Sequence, residues 1–289
     1  MSAEQEHTND SDAGDASSAI DAPAVSRGAP DYLTAAVRVA VAGASGRMGS
    51  TTCAAIDAAD GTTLVAKVDP AMSGPGWFSS VAELDADDVD VLVDFTHFAS
   101  ARANLDWCLD AGVHAVVGTS GFDGDALADL TDKMTAGVNI AIIPNFAIGA
   151  VLMMRFAELA APFMDTVEVI EYHHDQKIDA PSGTAIATVD RIAAASTRWA
   201  PDPTTDEKLP GARGALGAGD IRIHAVRMRG MVAHQEVLFG AQGQTLTLRH
   251  DSIDRSSFMP GVVLAVQQVS RFPGLTVGLD RFLGIDSIA

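Results

Sequence analysis

Cysteine is nearly absent from this sequence. Only Cys53 and Cys108 occur, and each lies in a segment whose apolar residues recur at helical spacing. A disulfide framework or a thiolate zinc site is therefore not expected, and the chain suits a reducing compartment. The first residues, MSAEQEHTND, lack the basic start and apolar core of a signal peptide, so we expect a cytoplasmic protein.

Long apolar runs and positive charge are also missing. No uncharged apolar stretch reaches the roughly 18 residues that a transmembrane helix needs. The formal net charge is -19, which repels a polyanion such as nucleic acid. We therefore expect neither membrane insertion nor nucleic-acid binding, and an anionic ligand would require a local basic patch.

The N-terminal part of the chain differs in composition from the rest. Residues 1–36 are rich in Ser, Ala, Asp and Gly, a composition that predicts a disordered acidic tail. From Val37 onward, short apolar runs alternate with helical patterns; these runs are VRVAVAG, TTLVAKVD, VDVLVDFT, VHAVVGT and NIAIIPNF. Strands that are apolar on both faces and alternate with helices are typical of a buried parallel sheet. This half predicts a Rossmann-like, doubly wound α/β fold.

The pattern changes after Asn145. A helix in AVLMMRFAELAAPF precedes the strand TVEVIEYHH, a second helix opens near PSGTAIATVDRIAAAS, and three strand-like segments come next without helices between them. This order predicts a second, α+β domain with a mixed, open-faced sheet. We expect a tail at 1–36, a dinucleotide-binding domain at 37–144, a substrate-binding and oligomerisation domain at 145–254, and a segment at 255–289 that returns to the dinucleotide-binding domain.

A glycine-rich loop comes directly after the first predicted strand. In VAVAGASGRMGS, Gly43, Gly46 and Gly49 stand between that strand and a helix. Backbone N–H groups in such a loop can approach a pyrophosphate, whose charge the helix N-terminus favours. The spacing is G-x-x-G-x-x-G rather than G-x-G-x-x-G, and an ordinary tight turn is the alternative interpretation.

An acidic residue ends the second predicted strand. Asp69 lies twenty-six residues after Gly43, where an acid accepts hydrogen bonds from the adenosine ribose. A carboxylate at this position favours NADH, whereas Arg47 could face the 2′-phosphate of NADPH. A solvated strand end is the alternative role for Asp69. The strand, loop, helix and acid together favour dinucleotide binding.

The segment EYHHDQKIDAPSGTA places His173, His174 and Lys177 close together. Four interpretations compete: a metal site, a structural cap on the sheet, a phosphate site and a catalytic site. Metal binding is disfavoured because adjacent strand residues point to opposite faces and no further His or Cys lies at ligand spacing nearby. The catalytic interpretation explains most, because an imidazole can give a proton, a lysine can fix an anion, and the helix start at Ser182–Thr184 can hold another. This pattern predicts a small dianionic substrate that accepts a hydride and a proton.

The same segment closely resembles the signature of the 4-hydroxy-tetrahydrodipicolinate reductase (dihydrodipicolinate reductase) family. Further similar segments occur in the family's order from Val37 to the C-terminus: GASGRMG, VDFTH, VVGTSGF, PNFAIGAV, VAHQEVLFG and RHDSIDRSSFMPGVVLAV. The resemblance implies an NADH- or NADPH-dependent oxidoreductase of diaminopimelate and lysine biosynthesis. Such an enzyme reduces 4-hydroxy-tetrahydrodipicolinate, via dihydrodipicolinate, to tetrahydrodipicolinate. The resemblance also implies a homotetramer formed through the second-domain sheets.

The resemblance further implies roles for individual residues. His173 would be the proton donor or acceptor, and Lys177 the second catalytic group. Substrate contacts would come from His174, Ser182, Gly183 and Thr184. The dinucleotide would be lined by Gly43, Ala44, Ser45, Gly46, Arg47, Met48, Asp69, Gly118, Thr119, Ser120, Ile143, Pro144, Asn145 and Phe146. Pro70 stands where some members carry a basic residue suited to a 2′-phosphate, so the choice between NADH and NADPH stays open.

Two other functions share parts of this pattern. A related two-domain dehydrogenase acting on an amino acid or polyol would have the glycine loop but no need of DAPSGT after a histidine pair. A non-catalytic redox sensor would bind NADH without turnover. An assay of NADH oxidation with the expected substrate, compared with other imines and keto acids, would distinguish these alternatives.

Overall fold

The computed structural model describes residues 36–286. The tail predicted at 1–36 lies outside the described residues except for Ala36. Residues 36–286 form a seven-stranded parallel sheet and a five-stranded mixed sheet. The predicted fold class, a doubly wound sheet with a second α+β part, is confirmed.

Strands and helices alternate through the first half. Its elements are β1 (Val37–Ala42), α1 (Arg47–Ala58), β2 (Thr62–Val68), β3 (Trp77–Phe78), β4 (Val91–Asp94), α2 (Phe98–Ala111), β5 (His114–Val117), α3 (Gly124–Lys133) and β6 (Asn139–Ile142). The second half contains α4 (Ile148–Ala160), β7 (Thr166–His173), α5 (Gly183–Ala195), β8 (Ala215–Leu216), β9 (Arg222–Arg227), β10 (Ala233–Ala241), β11 (Gln244–Ser252), α6 (Met259–Gln268), β12 (Gly274–Val277) and α7 (Asp280–Leu283).

The first sheet has the strand order β12-β6-β5-β4-β1-β2-β3, and all of its paired strands run parallel. Alternate residues of β1 point to opposite faces. Val39 and Val41 pack into one hydrophobic core, and Ala40 packs into the other. The strand order reverses between β1 and β4, which is where open α/β sheets bind ligands. The carboxyl ends of these strands are therefore the expected ligand edge.

The second sheet has the order β11-β10-β7-β9-β8. Its central strand, β7, runs parallel to β9 and antiparallel to β10. Val167 and Val169 on β7 are buried in a core with Val189 and Ile192 of α5. Because side chains alternate along a strand, the later residues Glu171 and His173 lie on this helix-covered face. Glu168, Ile170 and Tyr172 lie on the opposite face.

The C-terminal elements belong to the first sheet in space. Val262, Ala265 and Val266 of α6 pack in the same core as Val39 and Val41 of β1. Strand β12 pairs parallel with β6 and extends the sheet by one strand. The chain thus crosses from the first sheet to the second and back. This path brings the carboxyl ends of the first-sheet strands next to the end of β7.

None of the helices found in residues 36–286 is both long and apolar enough to span a membrane.

Candidate active site

The glycine loop turns tightly from β1 into α1. Gly43 has a φ of +73°, in the left-handed region that favours glycine. A Cβ at Gly49 would lie 2.0 Å from the carbonyl oxygen of Gly43, so any side chain there would collide with the backbone. Ala44 is buried, and the Gly46 N–H donates to the Gly43 carbonyl at 3.0 Å. The glycines therefore permit the close approach of the loop to the helix start.

The start of α1 offers donors to an anion. The first N–H groups of a helix have no intrahelical acceptor, and within residues 36–286 no side chain caps this end. Arg47 is the first helical residue and is exposed, and the half-buried Met48 comes next. The donors and the space left by the glycines fit the pyrophosphate of a dinucleotide.

Asp69 lies directly after β2, beside the loop. Its Oδ2 accepts hydrogen bonds from the Ser45 hydroxyl at 2.5 Å and from the Ser45 N–H at 3.2 Å, and its Oδ1 accepts one from Ala71 N–H at 3.0 Å. The Ser45 hydrogen bond lowers the pKa of Asp69, which keeps the carboxylate charged. Asp69 therefore organises the glycine loop, a role that its position in the sequence did not predict.

The ends of β5 and β6 complete this side of the site. Gly118 comes directly after β5, and its N–H donates to the Asp94 carbonyl at 2.9 Å. Thr119 is buried with its hydroxyl donating to Asp94 at 3.1 Å, whereas Ser120 is exposed. Ile143 comes directly after β6 and packs wholly in the hydrophobic core. Its backbone can still line a ligand site, but its side chain is a core residue.

Pro144, Asn145 and Phe146 lead from β6 towards α4. Pro144 is exposed and Phe146 is buried. The ring centroid of Phe146 lies 5.6 Å from that of Phe95. The Asn145 amide donates to the Thr184 hydroxyl at 3.2 Å. This contact joins the first-sheet edge to the start of α5. The cofactor segment and the substrate segment expected from the sequence therefore meet directly.

His173 is the last residue of β7, and its ring is held by Glu171. The Nδ1 atom lies 2.5 Å from Glu171 Oε2. The Glu171 side chain is fully buried, and Arg227 of β9 donates to both of its oxygens, at 2.8 Å and 2.9 Å. Although burial opposes ionisation, the hydrogen bonds from Arg227 and His173 hold the pKa of Glu171 below its usual range. Glu171 is therefore a buried carboxylate with paired charge.

Several groups set the proton affinity of His173. Burial lowers the pKa of the imidazole below its usual value, and Lys177 and Arg227 push it in the same direction. The hydrogen bond and charge of Glu171 raise it against them. Because Nδ1 is held by Glu171, Nε2 is the ring nitrogen left to exchange a proton with a ligand.

The start of α5 lies beside His173. Ser182 is the N-cap residue, and its hydroxyl accepts a hydrogen bond from Ala185 N–H at 3.2 Å. The Ser182 N–H donates to Glu171 Oε1 at 3.1 Å. Gly183 is exposed at the first position of the helix, and Thr184 is half-buried. The predicted helix start is thus confirmed and is tied to the carboxylate that holds His173.

Lys177 and His174 lie on the loop between β7 and α5. Lys177 forms an ion pair with Asp179, in which Nζ lies 2.8 Å from both carboxylate oxygens. His174 is half-buried, and its carbonyl accepts a hydrogen bond from Lys177 N–H at 3.2 Å. A substrate carboxylate would have to replace Asp179 as the partner of the lysine.

One cavity of about 260 Å³ joins the two halves of the site. From the predicted residues it is lined by Met48, Gly118, Pro144, Asn145, Phe146, His173, Ser182 and Thr184. Lys177, His174, Gly183 and the remaining dinucleotide residues lie outside this lining. The structure therefore brings His173, the helix start and the end of the first sheet around one space.

Other residues of the cavity were not predicted from the sequence: Phe95, Ala147, Ala150, Ala233, His234, Gln235, His250, Ser252 and Phe258. Gln235 is buried and donates to Thr188, while its Oε1 has no hydrogen-bond partner within residues 36–286. That oxygen is available to a donor on a ligand. Glu171 was also missed, although its position two residues before His173 placed both side chains on one strand face.

Comparison with known proteins identifies the family. The protein-family model described as "Dihydrodipicolinate reductase, N-terminus" matches residues 37–146. A second family model, "Dihydrodipicolinate reductase, C-terminus", matches residues 149–283. The chain is 51% identical over 255 residues to a 4-hydroxy-tetrahydrodipicolinate reductase of Nocardia farcinica, with 86% of this chain and 99% of that protein covered. A protein of the same name from Beutenbergia cavernae is 50% identical with the same coverage.

A solved structure agrees with the sequence matches. The dipicolinate-bound dihydrodipicolinate reductase from Paenisporosarcina sp. TG-14 superposes with a TM-score of 0.77 and 38% identity, and the match covers 86% of this chain and 99% of that one. The two family models match residues 37–146 and 149–283, and the relatives are about half identical over nearly their full length. This chain therefore belongs to the dihydrodipicolinate reductase family.

Proposed function

We propose that this protein catalyses the NADH- or NADPH-dependent reduction of 4-hydroxy-tetrahydrodipicolinate to tetrahydrodipicolinate, a step of diaminopimelate and lysine biosynthesis. The observation that carries the proposal is the shared cavity, where His173, the start of α5 and the carboxyl edge of the first sheet meet. Relatives about half identical to the chain carry the name of this activity. A reductase needs three parts together: a proton donor, a site for the anionic substrate and a sheet edge that binds the dinucleotide.

On the cofactor side, we assign the dinucleotide to the part at 37–144. The uncapped start of α1 would hold the pyrophosphate, because the glycines keep side chains away from it. Gly118 and the segment 144–146 would lie against the nicotinamide, since they line the cavity beside His173. The bound cofactor supplies the hydride.

On the substrate side, we assign the ligand to the part at 145–254. The N-terminus of α5, with the Thr184 hydroxyl, would bind one carboxylate. Lys177 would bind another after exchanging Asp179 for the substrate, and His174 would assist. Dipicolinate, bound in the Paenisporosarcina enzyme, is a planar dicarboxylate of the same charge as the proposed ligand. Two separate anion sites flanking the cavity suit a dianion of this shape.

The proposed chemistry adds one hydride and one proton. Loss of water from 4-hydroxy-tetrahydrodipicolinate gives dihydrodipicolinate, whose conjugated ring accepts the hydride. The resulting anion takes a proton from Nε2 of His173, and solvent returns a proton to the imidazole afterwards. Lys177 stabilises the negative charge, and a charge-assisted contact of this kind contributes roughly 1.5–3 kcal/mol.

Cofactor choice depends on opposing charges near the ribose. Asp69 would accept hydrogen bonds from both ribose hydroxyls, whereas Arg47 would pair with a 2′-phosphate. We propose that NADH leads in kcat/KM by less than about a hundredfold, a gap of under roughly 3 kcal/mol. Asp69→Ala should shift the ratio towards NADPH and Arg47→Ala should shift it towards NADH. A strong wild-type preference for NADPH would contradict this assignment.

We further propose a cytoplasmic homotetramer that associates through the second sheets. The face of β7 opposite the helices carries Ile170, and Leu216 of the edge strand β8 is exposed. Exposed apolar side chains beside an open sheet suit a contact between copies. Light scattering coupled to size-exclusion chromatography would measure the mass directly. Nucleic acid is not expected as a partner, because the net charge is -19.

The proposed activity is tested by oxidation of NADH or NADPH with freshly prepared 4-hydroxy-tetrahydrodipicolinate. We expect turnover with this substrate and much slower oxidation with other imines, keto acids, amino acids or polyols. Turnover of an amino acid or polyol instead would indicate a related dehydrogenase. Binding of NADH with no turnover of any substrate would indicate a sensor.

A further inference from the structure

A buried carboxylate lies behind the proposed proton donor. The Glu171 side chain has no exposed surface, although it carries a charge in a core strand. Its Oε1 accepts hydrogen bonds from Ser182 N–H at 3.1 Å and Arg227 Nη2 at 2.9 Å, and its Oε2 accepts from Arg227 Nη1 at 2.8 Å beside His173 Nδ1 at 2.5 Å. Burying a charge costs much free energy unless it is paired and hydrogen-bonded. These four contacts meet that condition.

The partners of Glu171 come from three different parts of the site. His173 is on the same strand, Arg227 is on the neighbouring strand β9, and Ser182 is the N-cap residue of α5. Arg227 also donates to the carbonyl of Asp179 at 2.7 Å, which is the residue paired with Lys177. The Glu171–Arg227 pair therefore contacts the His173 imidazole, the start of α5 and the loop between β7 and α5 that carries Lys177.

We propose that Glu171 is a positioning residue for the reduction. It keeps a proton on Nδ1 of His173, so that Nε2 faces the cavity, and it holds the start of α5 beside that imidazole. This inference rests on the proposed function. A neutral imidazole has two tautomers, and the hydrogen bond at one nitrogen selects which nitrogen exchanges protons with the ligand. A carboxylate at Nδ1 also stabilises the imidazolium that must form before each proton transfer.

Arg227 balances the charge of this arrangement. With its guanidinium on both oxygens, Glu171 remains ionised and does not remove the proton from His173. The groups facing His173 are Glu171 on its own strand, Arg227 from β9 and Lys177 from the following loop, and His234 of β10 and His250 of β11 line the same cavity. Of the groups that shift the His173 pKa, Glu171 raises it, whereas Lys177 and Arg227 lower it. Loss of the Glu171 charge should therefore make the imidazole less basic.

The test compares Glu171→Gln with Glu168→Gln. Glu168 is a matched control because it lies on the same strand and also pairs with an arginine and a histidine, but on the opposite face. For each variant, kcat, KM and the pH profile of kcat/KM are measured with the proposed substrate, together with NADH binding by fluorescence and the melting temperature.

For Glu171→Gln we expect kcat to fall roughly tenfold to a hundredfold, a part of the 10²–10⁴ contributed by a positioned acid. The limb on which kcat/KM declines with rising pH should move to lower pH, because His173 loses its proton more readily. NADH binding should stay as in the wild type. Glu168→Gln should leave kcat and the position of the limb unchanged.

Glu171→Asp serves as the second variant if the glutamine variant does not fold. It keeps the charge but shortens the reach, so the limb should return towards the wild-type pH while kcat recovers only in part. The inference is overturned if a folded Glu171→Gln or Glu171→Asp protein shows wild-type kcat and an unmoved limb, or if Glu168→Gln loses as much activity. A wild-type protein that binds NADH without reducing the substrate would instead overturn the proposed function itself.

Discussion

Strand β7 carries two clusters of the same three residue types on its two faces. On the helix-covered face, Glu171 pairs with Arg227 and His173. On the open face, Glu168 pairs with Arg213 at 2.5 Å and with His224 at 2.7 Å. The bond lengths are similar, but the Glu171 side chain is 0% exposed and that of Glu168 is 36% exposed.

This difference in burial separates the physical roles of the two clusters. A water-exposed ion pair is screened and contributes little, with a typical value of about 0–1 kcal/mol. A buried pair is sensitive to any loss, because the remaining charge then lacks both water and a partner. Glutamate, arginine and histidine in contact therefore do not by themselves indicate a catalytic group. The cavity beside His173 and the helix start beside Glu171 make that distinction.

The histidines of the two clusters should differ most. His173→Ala should lower kcat by about 10²–10⁴, the share of a positioned acid or base, with little change in NADH binding. His224→Ala should change kcat by about twofold or less, as expected of a surface substitution. Steady-state kinetics of both variants at saturating NADH checks the comparison. Equal losses would show that the two faces are not functionally distinct.

Removal of the arginines should sharpen the contrast in stability. Arg227→Met leaves Glu171 buried without its bidentate partner, so the free energy of unfolding should fall by about 3–5 kcal/mol. Arg213→Met should cost about 1 kcal/mol or less, because water replaces the lost partner of Glu168. Urea unfolding at neutral pH, followed by circular dichroism, gives both values. A larger loss for Arg213→Met would contradict the difference in burial.

Replacement of Lys177, on the loop between β7 and α5, should have a smaller effect on activity. Lys177→Ala should lower kcat by about tenfold to a hundredfold, which corresponds to a charge-assisted contact of roughly 1.5–3 kcal/mol. KM should rise as well if the lysine also binds the substrate in the ground state. Lys208→Ala is the control, since that lysine is 87% exposed and paired with Asp206. Wild-type kcat and KM in Lys177→Ala would remove this lysine from the site.

The smallest expected effect concerns acid stability. Pairing holds the pKa of Glu171 in the folded protein below that of an ordinary glutamate, so its stabilisation is complete above the unfolded pKa and is lost as pH falls through the folded pKa. The difference in unfolding free energy between the wild type and Glu171→Gln should therefore shrink in acid. Glu168→Gln should show the same sign with a smaller amplitude, because Glu168 is partly exposed. Urea unfolding between neutral and acidic pH measures both differences.

Much of this protein is determined locally by its sequence. The apolar runs of β1 and β4 are buried on both sides, and only a parallel sheet between two layers suits such runs. Ser182 forms an N-cap because its hydroxyl reaches an N–H three residues ahead, which depends on local geometry alone. The glycine loop is likewise local, since Gly43 and Gly49 are in close contact although only six residues separate their positions. Fold class, helix start and the histidine segment could therefore be predicted.

Other features were decided by the tertiary structure. Arg227 reaches Glu171 across a separation of 56 residues, and Asn145 reaches Thr184 across 39, so no local pattern could pair them. Alternation along β7 placed Glu168 and Glu171 on opposite faces, but the sequence did not show which face the helices would cover. That choice follows from the packing of Val167 and Val169 against α5. Because Glu171 is buried, its carboxylate interacts far more strongly with its few partners than it would in water. This strong interaction is what lets Glu171 hold the proposed proton donor, His173, in place.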